Sequence, residues 1–391
     1  MTYAVNPAIA RIEAPPIIEA QSWVKPGVRN RALLNLCQAV PSYPPAAELQ
    51  QEVALVALEA ATSLYTDIYG LPELRQALAR HMSQDYGGLV AAGEVCITSG
   101  CNQAFAATLM ALAEAGDNVI VPVPYFFNHT MWLGMQRIEA RFIPALAETH
   151  AYPRPEDAAR SIDARTRAIV LCSPNNPTGA IYPPQVIEDF FDLAAAHGIA
   201  LVIDETYKDF RGTTAPPHGL FSRPGWQNTY VQLYSFSKAY SMTGYRIGSI
   251  AAGAGFLAEI EKILDCMTIC PAHISQQAAL FALSSLSGWK RQTCTTMAER
   301  LAALRRAFEQ PGLAYKLESS GAFFAYVRHP FAGTPAKQVA MRLAGEHDVL
   351  CLPGSMFGDG QENHLRIAFA NAEVSDMELL AERLMESQRG V

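Results

Sequence analysis

The chain has 391 residues, of which 50% are hydrophobic and 17% are charged, and its formal net charge is -7 at pH 7. This composition supplies a large buried core and argues against disorder, while the acidic balance argues against binding to nucleic acid. No uninterrupted apolar run reaches the roughly 18 residues of a membrane span, so no membrane association is expected.

The N-terminus and the cysteines bear on cellular location. Residues 1–7 show no basic region followed by an apolar one, so a secretory signal is not expected. The eight cysteines include no C-x-x-C pair, and no histidine cluster completes a zinc site. We therefore expect reduced thiols in a cytoplasmic protein, and no bound metal.

The first part of the chain predicts an arm followed by helices. Residues 1–48 are rich in proline and predict an irregular arm that includes part of a small domain. An alanine-rich helix is predicted over 48–61. Pro72 is predicted to begin the next helix, because the N–H that proline lacks has no partner in a first helical turn.

From residue 95 onwards, short apolar runs alternate with predicted helices. Strands are predicted at 95–98, 118–121, 168–172, 199–203, 229–233 and 247–252. Apolar strands that alternate with helices are typical of a mostly parallel sheet covered on both faces. We assign this α/β pattern to a large domain over 49–280.

The pattern changes after about residue 280. Helices are predicted at 290–310, 335–347 and 375–388, and strands at 321–327 and 365–369. Ser375 and Glu378 are predicted to form a capping box at the start of the last helix. Residues 281–391 therefore predict a second, smaller α+β domain.

One lysine is surrounded by residues that suit a phosphorylated aldehyde. Ser235 and Ser237 precede Lys238, and Arg246 follows it by eight residues. A deprotonated lysine condenses with an aldehyde, and hydroxyls together with a guanidinium bind a phosphate dianion. The stretch thus describes a binding site for pyridoxal phosphate (PLP), although a single lysine considered alone is more often a solvated surface residue.

Further polar residues follow the carboxyl ends of predicted strands, where ligands of parallel sheets bind. Asp204 could hold a proton on a pyridine nitrogen, and Tyr207 and Asn176 could hydrogen-bond the phenolic oxygen of the ring. Each also has an ordinary structural explanation, as a turn cap, a core tyrosine and a turn asparagine. Free amides that suit a phosphate lie at a predicted helix start formed by Gly100, Cys101 and Asn102.

With these residues, the chain resembles the fold-type I PLP enzymes, specifically the class I/II aminotransferases related to aspartate aminotransferase. The resemblance runs from about residue 30 to 388 and is carried by the blocks 235–246, 173–179 and 204–207. It implies a large PLP-binding domain with a mostly parallel seven-stranded sheet between helices, plus the smaller α+β domain. It also implies transfer of an amino group from an L-amino acid to a 2-oxo acid by a ping-pong mechanism.

The resemblance implies a role for each site residue. Lys238 would form the Schiff base and move the substrate proton, Asp204 would pair with the pyridinium, and Tyr207 and Asn176 would contact the phenolic oxygen. Phe126 would stack on the ring. The phosphate would be held by Ser235, Ser237, Arg246, Gly100, Cys101 and Asn102.

The resemblance also implies residues for the substrate and for a partner subunit. Arg366 would bind the substrate carboxylate, with Asn176 and the backbone of Ala39 close to it. Tyr65 would reach the phosphate of a neighbouring subunit, which implies a homodimer. Two histidines, His129 and His273, either line the substrate pocket or are structural.

The chain departs from the family pattern at three places. Ala39 stands where the family often has a glycine. Cys101 is unusual in the phosphate turn, where it is either a small filler or a reactive thiol whose pKa the helix N-terminus lowers. Residues 267–273 contain no arginine, although some dicarboxylate-specific members have one there, which disfavours a strict aspartate enzyme.

Other functions remain open at this point. The same cofactor site serves PLP-dependent C–S β-lyases and other PLP enzymes of this fold. The fold is also an effector-binding module in some transcription regulators, but those carry a DNA-binding region ahead of it, and the predicted arm is too short for one. Apolar, aromatic, sulfur-containing and basic amino donors are all compatible with the sequence.

Overall fold

The computed structural model describes residues 3–24, 31–145 and 151–389. The strands are β1 (Leu34–Asn35), β2 (Val95–Thr98), β3 (Asn118–Val123), β4 (Glu139–Pro144), β5 (Thr166–Cys172), β6 (Ala200–Asp204), β7 (Tyr230–Ser235), β8 (Gly248–Ala251), β9 (Lys316–Gly321), β10 (Phe324–Arg328), β11 (Val349–Leu350), β12 (Leu352–Pro353) and β13 (His364–Ala368). The helices are α1 (Pro7–Ala10), α2 (Pro16–Gln21), α3 (Ala47–Val56), α4 (Pro72–Tyr86), α5 (Cys101–Leu112), α6 (Phe127–Gln136), α7 (Pro155–Ala159), α8 (Pro184–His197), α9 (Phe236–Ala239), α10 (Ala254–Thr268), α11 (His273–Ser285), α12 (Ser287–Phe308), α13 (Ala336–Glu346) and α14 (Val374–Gln388).

The large sheet has seven strands in the order β2-β8-β7-β6-β5-β3-β4. Only β8 runs antiparallel to its neighbours, β2 and β7, and the other neighbouring pairs are parallel. This confirms the predicted mostly parallel, seven-stranded sheet. In such a sheet, the carboxyl ends of the central strands lie side by side at the same end of the sheet. The polar motifs of the sequence follow β5, β6 and β7 at this end.

Both faces of the large sheet are buried. Leu201 and Ile203 of β6 belong to one hydrophobic cluster together with Phe190 of α8. Val202 of the same strand belongs to a cluster on the other face, together with Leu257 of α10. Successive side chains of a strand point to opposite faces, so a strand buried on both sides reads as a continuous apolar run.

The smaller sheet is antiparallel, with the strand order β12-β13-β10-β9. Its core includes residues of α12, α13 and α14, which confirms the predicted smaller α+β unit. In the arm, β1 pairs in parallel with β11, with Leu34 opposite Val349. The domain boundaries at residues 48 and 280 stay a prediction.

The local predictions had mixed outcomes. Pro72 begins α4, as predicted, and Gly198 ends α8 in the left-handed conformation at φ +64°. The helix predicted over 48–61 ends at Val56. The predicted capping box was wrong: Glu373 is the N-cap residue, and its backbone amide donates to the Asp376 carboxylate, 2.7 Å away.

Several elements were not predicted, among them α6 and β4. The sequence of residues 124–129 suggests an aromatic loop, but α6 begins within these residues at Phe127. Strand β4 lies at the edge of the large sheet, where Glu139 and Arg141 leave no apolar run to recognise. Within the described residues, no helix has both the length and the hydropathy that crossing a bilayer requires.

Candidate active site

A cavity of about 380 Å³ lies past the carboxyl ends of β5, β6 and β7. Of the predicted site residues, it is lined by Ala39, Cys101, Asn102, Phe126, Asn176, Asp204, Tyr207, Ser235, Ser237, Lys238, Arg246 and Arg366. Gly100 lies next to this set, against the Arg246 guanidinium. Tyr65 alone lies apart, with 77% of its surface exposed.

Lys238 lies in α9, the single helical turn that follows β7. Its Nζ donates a hydrogen bond to the carbonyl of Ala39 at 2.5 Å and lies 5.9 Å from the ring centroid of Tyr207. Burial, followed by the positive charges of Arg246 and Arg366, lowers the pKa of Lys238 to about 8. At neutral pH, the amine of Lys238 is therefore deprotonated far more often than the amine of a solvated lysine. Lys238 is not the solvated surface residue of the alternative interpretation.

Asp204 is the last residue of β6 and is buried at the floor of the cavity. Its Oδ2 lies 3.3 Å from Nε2 of His129, and its Oδ1 accepts a hydrogen bond from the backbone amide of Thr206 at 3.0 Å. Burial alone would raise the pKa of Asp204, but these partners outweigh burial and hold the pKa below its ordinary value. The carboxylate therefore stays negative inside the protein.

His129 acts on the site through Asp204. Its ring is stacked on Phe105, with centroids 4.1 Å apart and planes 17° apart, and meets Phe126 edge-on. His129 thus stands behind Asp204 and is not among the lining residues of the cavity. His273 lies elsewhere, at the start of α11, where its Nδ1 is 2.8 Å from the carbonyl of Ala61.

The residues expected to hold a phosphate converge at one end of the cavity. Ser235 is the N-cap residue of α9, and its hydroxyl accepts a hydrogen bond from the amide of Ser237. Arg246 adopts the left-handed conformation at φ +52°, which directs it toward the start of α5. Gly100 precedes that helix at φ +87°, and a Cβ there would occupy the space of the Arg246 guanidinium.

Arg366 comes from β13, lines the cavity and is a large, fully buried side chain. Its Nη1 donates to Oδ1 of Asn176 at 3.1 Å, its Nη2 donates to the carbonyl of Cys37, and its Nε has no partner. Burial lowers the pKa of Arg366 to about 10. A buried cation whose hydrogen bonds go to neutral oxygens is prepared to bind an anion.

Tyr207 completes the wall between Lys238 and the small sheet. Burial raises its pKa well above the ordinary value, so its hydroxyl stays protonated. The ring meets Phe323 and Phe324 edge-on, with centroids 5.3 and 5.1 Å away. These contacts fix the direction of the phenol.

The model of the family described as aminotransferase class I and II matches residues 31–384. The chain belongs to this family. Members of the family depend on PLP, and the match confirms the predicted family and enzyme class.

The names of the relatives specify different amino donors. An arginine–pyruvate transaminase from Pseudomonas aeruginosa is 30% identical over 342 residues, which cover 87% of this chain and 86% of the relative. An aromatic aminotransferase from Arabidopsis thaliana is 29% identical over 358 residues, 90% and 88% of the two chains. The structure of Thermus thermophilus aspartate aminotransferase with maleate matches with a TM-score of 0.89 at 25% identity, over 99% of this chain and 100% of that one.

The structure decides between the two interpretations of Cys101 in the aminotransferase. Burial, and then the negative charge of Asp204, raise the pKa of the Cys101 thiol well above its ordinary value. The alternative of a lowered pKa was therefore wrong, because burial and the carboxylate outweigh the helix N-terminus. Cys101 fills space at the start of α5.

The cavity of the aminotransferase has lining residues that the sequence did not single out. They are Ile17, Gln38, Val40, Phe127, Asn128, Cys172, Thr206 and Thr243. Ile17 comes from α2, so the N-terminal arm closes one side of the site. An apolar pair, Ile17 and Ile18, in an otherwise irregular arm was the available signal for this contact.

Proposed function

We propose that this aminotransferase binds PLP in the cavity at Lys238 and moves an amino group from an L-amino acid to a 2-oxo acid by a ping-pong mechanism. The observation that carries the proposal is the pairing, across one cavity, of an amine with a lowered pKa and the buried Arg366 cation. The first suits an aldehyde, and the second suits a carboxylate. Bound PLP supplies an electron sink for the charge left when an amino acid loses its Cα proton.

The residues present fit this cofactor. The buried Asp204 anion suits a protonated ring nitrogen, and the protonated phenol of Tyr207, with Asn176, suits the phenolic oxygen. Ser235, Ser237 and Arg246, with the start of α5, suit the phosphate dianion. Phe126 lines the same cavity and supplies an aromatic face for the ring.

Arg366 and Lys238 divide the work on the substrate. Arg366, supported by Asn176, binds the α-carboxylate, which fixes the amino acid between two walls of the cavity. Lys238, as a free amine, would then take the Cα proton and give it to the carbon that PLP contributes as its aldehyde, acting as both base and acid. The backbone carbonyl of Ala39 accepts a hydrogen bond from Nζ, so this residue lines the cavity beside the amine.

We also propose a homodimer in which Tyr65 reaches the phosphate site of the partner subunit. Tyr65 is exposed and lies outside its own cavity. Apolar side chains exposed nearby in sequence, Leu55, Leu58 and Leu64, are those that an interface would cover. Sedimentation of wild type and of Leu58→Glu tests this, and equal dimer fractions would contradict it.

Two further parts of the proposal concern organisation and location. The arm 1–48 with part of the small domain, the large domain 49–280 and the small domain 281–391 fit the two sheets described above. All eight cysteines are unpaired in the structure, which supports a reducing compartment such as the cytoplasm.

One experiment separates transamination from C–S bond cleavage. Holoenzyme is mixed with single amino acids, with no oxo acid present, and the products are counted per subunit. An aminotransferase releases one equivalent of 2-oxo acid and stops, because its second substrate is missing. A β-lyase would continue and release pyruvate and ammonia from cysteine-like donors, which would contradict the proposal. Aromatic, dicarboxylic, basic and apolar donors in the same assay define the specificity.

A further inference from the structure

A second cleft, of about 430 Å³, lies away from the lysine cavity, between α12, the start of α14 and the segment that follows Ala39. It is as large as the active-site cavity and shares no lining residue with it. Its lining residues are Ser42, Tyr43, Trp289, Gln292, Thr293, Thr296, Arg300 and Glu373.

The floor of this cleft holds a buried cation. Arg300 is 2% exposed. Its Nη1 donates to the carbonyl of Ala370, and its Nη2 donates to Oγ of Ser42 at 2.9 Å and to Oε1 of Glu373 at 2.7 Å. Its Nε, which lies on the same edge of the guanidinium as Nη2, is buried and has no partner. Nη2 already uses both of its hydrogens, so the unused bonding capacity of this arginine is the Nε hydrogen alone.

The carboxylate paired with Arg300 belongs to Glu373, whose Oε1 also accepts a hydrogen bond from the Ser42 hydroxyl at 3.0 Å. The Glu373 side chain is 64% exposed, so water screens its attraction to Arg300. Planar carboxylates bind a guanidinium best through two parallel N–H bonds, and the pair in the structure uses one. A carboxylate that occupied the Nε and Nη2 edge from inside the cleft would gain the second bond and release Glu373 into solvent.

The other wall of the cleft is aromatic and rich in donors. Tyr43 and Trp289 meet edge-on, with centroids 5.8 Å and planes 78° apart. Arg300 lies 5.9 Å from the Tyr43 centroid. The remaining side chains of the wall are hydroxyls and an amide. These walls suit a flat apolar body next to a carboxylate.

We propose that this cleft is a binding site for a small carboxylic acid with an aromatic body, distinct from the substrate site. The carboxylate takes the Nε and Nη2 edge of Arg300, and the ring packs against Tyr43 and Trp289. The assignment rests on the buried arginine, its unused Nε hydrogen and the aromatic wall. It does not depend on the function proposed for Lys238.

The test uses 3-phenylpropionate, which has neither an amino nor an oxo group and so cannot take part in transamination. Calorimetric titration of the PLP-loaded wild type is expected to show a site in this cleft, which persists when Arg366→Gln removes the cation of the lysine cavity. Arg300→Gln is expected to weaken this site by about tenfold or more, the usual effect of losing a charge-assisted hydrogen bond. Arg291→Gln is the matched control, since it removes an exposed arginine from the same helix, outside the cleft.

Two further variants guard against a merely structural effect of Arg300. Glu373→Gln removes the competing carboxylate and keeps the N-cap acceptor, so the site in the cleft is expected to bind more tightly. Trp289→Leu keeps Arg300 and is expected to weaken phenylpropionate while leaving acetate binding unchanged. Loss of all binding in Arg366→Gln, equal affinities in Arg300→Gln and Arg291→Gln, or weaker binding in Glu373→Gln would each overturn the proposal.

Discussion

Asp204 and Glu205 are neighbours in the chain, and both carboxylates are buried, yet they belong to two different regions. Asp204 is 5% exposed and faces the lysine cavity, whereas Glu205 is 1% exposed and points to the opposite face of the sheet. Oε2 of Glu205 accepts from the hydroxyls of Tyr86 at 2.7 Å and Tyr230 at 2.9 Å and from the amide of Gln232. Its Oε1 lies 3.3 Å from Nε2 of His218.

Both carboxylates stay ionised for the same physical reason. Burial would raise the pKa of Glu205, but His218 and the hydrogen-bond donors outweigh it and lower the pKa. Burial and a shifted pKa therefore do not separate a functional residue from a structural one in this protein. The difference is that the Glu205 carboxylate is surrounded by partners, whereas Asp204 borders a cavity whose other groups, Lys238 and Arg366, keep unused bonding capacity.

The largest expected effect compares two buried lysines. Lys238→Ala is expected to lower turnover by at least about 10⁴-fold, because the group that moves the proton is removed. It is also expected to remove the near-visible absorbance of lysine-bound PLP. Stopped-flow measurement of the first half-reaction checks the rate, and near-normal transamination by this variant would refute the role of Lys238.

Lys208→Met is the matched control. Lys208 is 7% exposed, and its Nζ is 2.6 Å from the Asp85 carboxylate. Burial would lower its pKa, but Asp209 and Asp85 raise it, so this lysine stays charged. Removing it takes one cation from the partly exposed Asp85, while Asp209 keeps Lys290 at 2.9 Å, and is expected to reduce the free energy of unfolding by about 1–3 kcal/mol, with turnover of the folded enzyme retained.

The second prediction separates Asp204 from Glu205. Asp204→Asn is expected to slow proton removal by about 10²–10³-fold, the usual range for a preorganised electrostatic partner, with little loss of stability. Glu205→Gln is expected to lower the free energy of unfolding by about 3–5 kcal/mol, because several buried hydrogen-bond donors lose a charged acceptor. Single-turnover kinetics and chemical unfolding of both variants check this. Equal losses of rate in the two variants would remove the distinction between the two regions.

The part of this comparison that the sequence predicts is the part that local pattern determines. Apolar runs and turn residues locate β5, β6 and β7, and parallel strands bring their carboxyl ends together, so Asn176, Asp204 and Lys238 were predicted to meet. The structure places these three in one cavity. The resemblance to the family supplied Arg366, which local pattern does not connect to Lys238.

The contacts that the sequence missed are long-range. His129 reaches Asp204 because α6, which follows β3, brings its ring within 3.3 Å of the carboxylate at the end of β6, and no periodicity indicates that pairing. The pKa of the Cys101 thiol is raised by its burial and by Asp204. The sequence indicates only that Cys101 lies at a helix N-terminus. The cleft at Arg300 is formed by segments around residues 42, 300 and 373, and its arginine reads in sequence as one of many on a helix.

The third prediction concerns Arg366, the cation of the cavity. Arg366→Lys is expected to raise KM for every amino donor by about 10–100-fold, because a lysine cannot form the two parallel bonds to a carboxylate. Steady-state kinetics over the donor panel checks this. A rise in KM confined to one class of donors would instead indicate that Arg366 contacts the side chain of the donor and not its α-carboxylate.

The matched variant in the other region is His218→Gln. It removes the histidine that faces Glu205, with no contact to the lysine cavity. The midpoint of unfolding is expected at a lower urea concentration than in the wild type, while KM stays near the wild-type value. A raised KM in this variant would mean that the Glu205 cluster takes part in the site.

The smallest expected effect is a shift in pH dependence. The neutral amine is the form of Lys238 that reacts with an aldehyde, so the rate at which the apoenzyme takes up PLP is expected to rise with pH and to level off above about 8. Arg366→Gln removes one of the positive charges that lower this pKa, so the inflection should move to higher pH. His218→Gln should leave it in place, because no group of the Glu205 cluster contributes to the Lys238 shift. An inflection that stays fixed in Arg366→Gln would show that burial and Arg246 set the pKa of Lys238 without a contribution from Arg366.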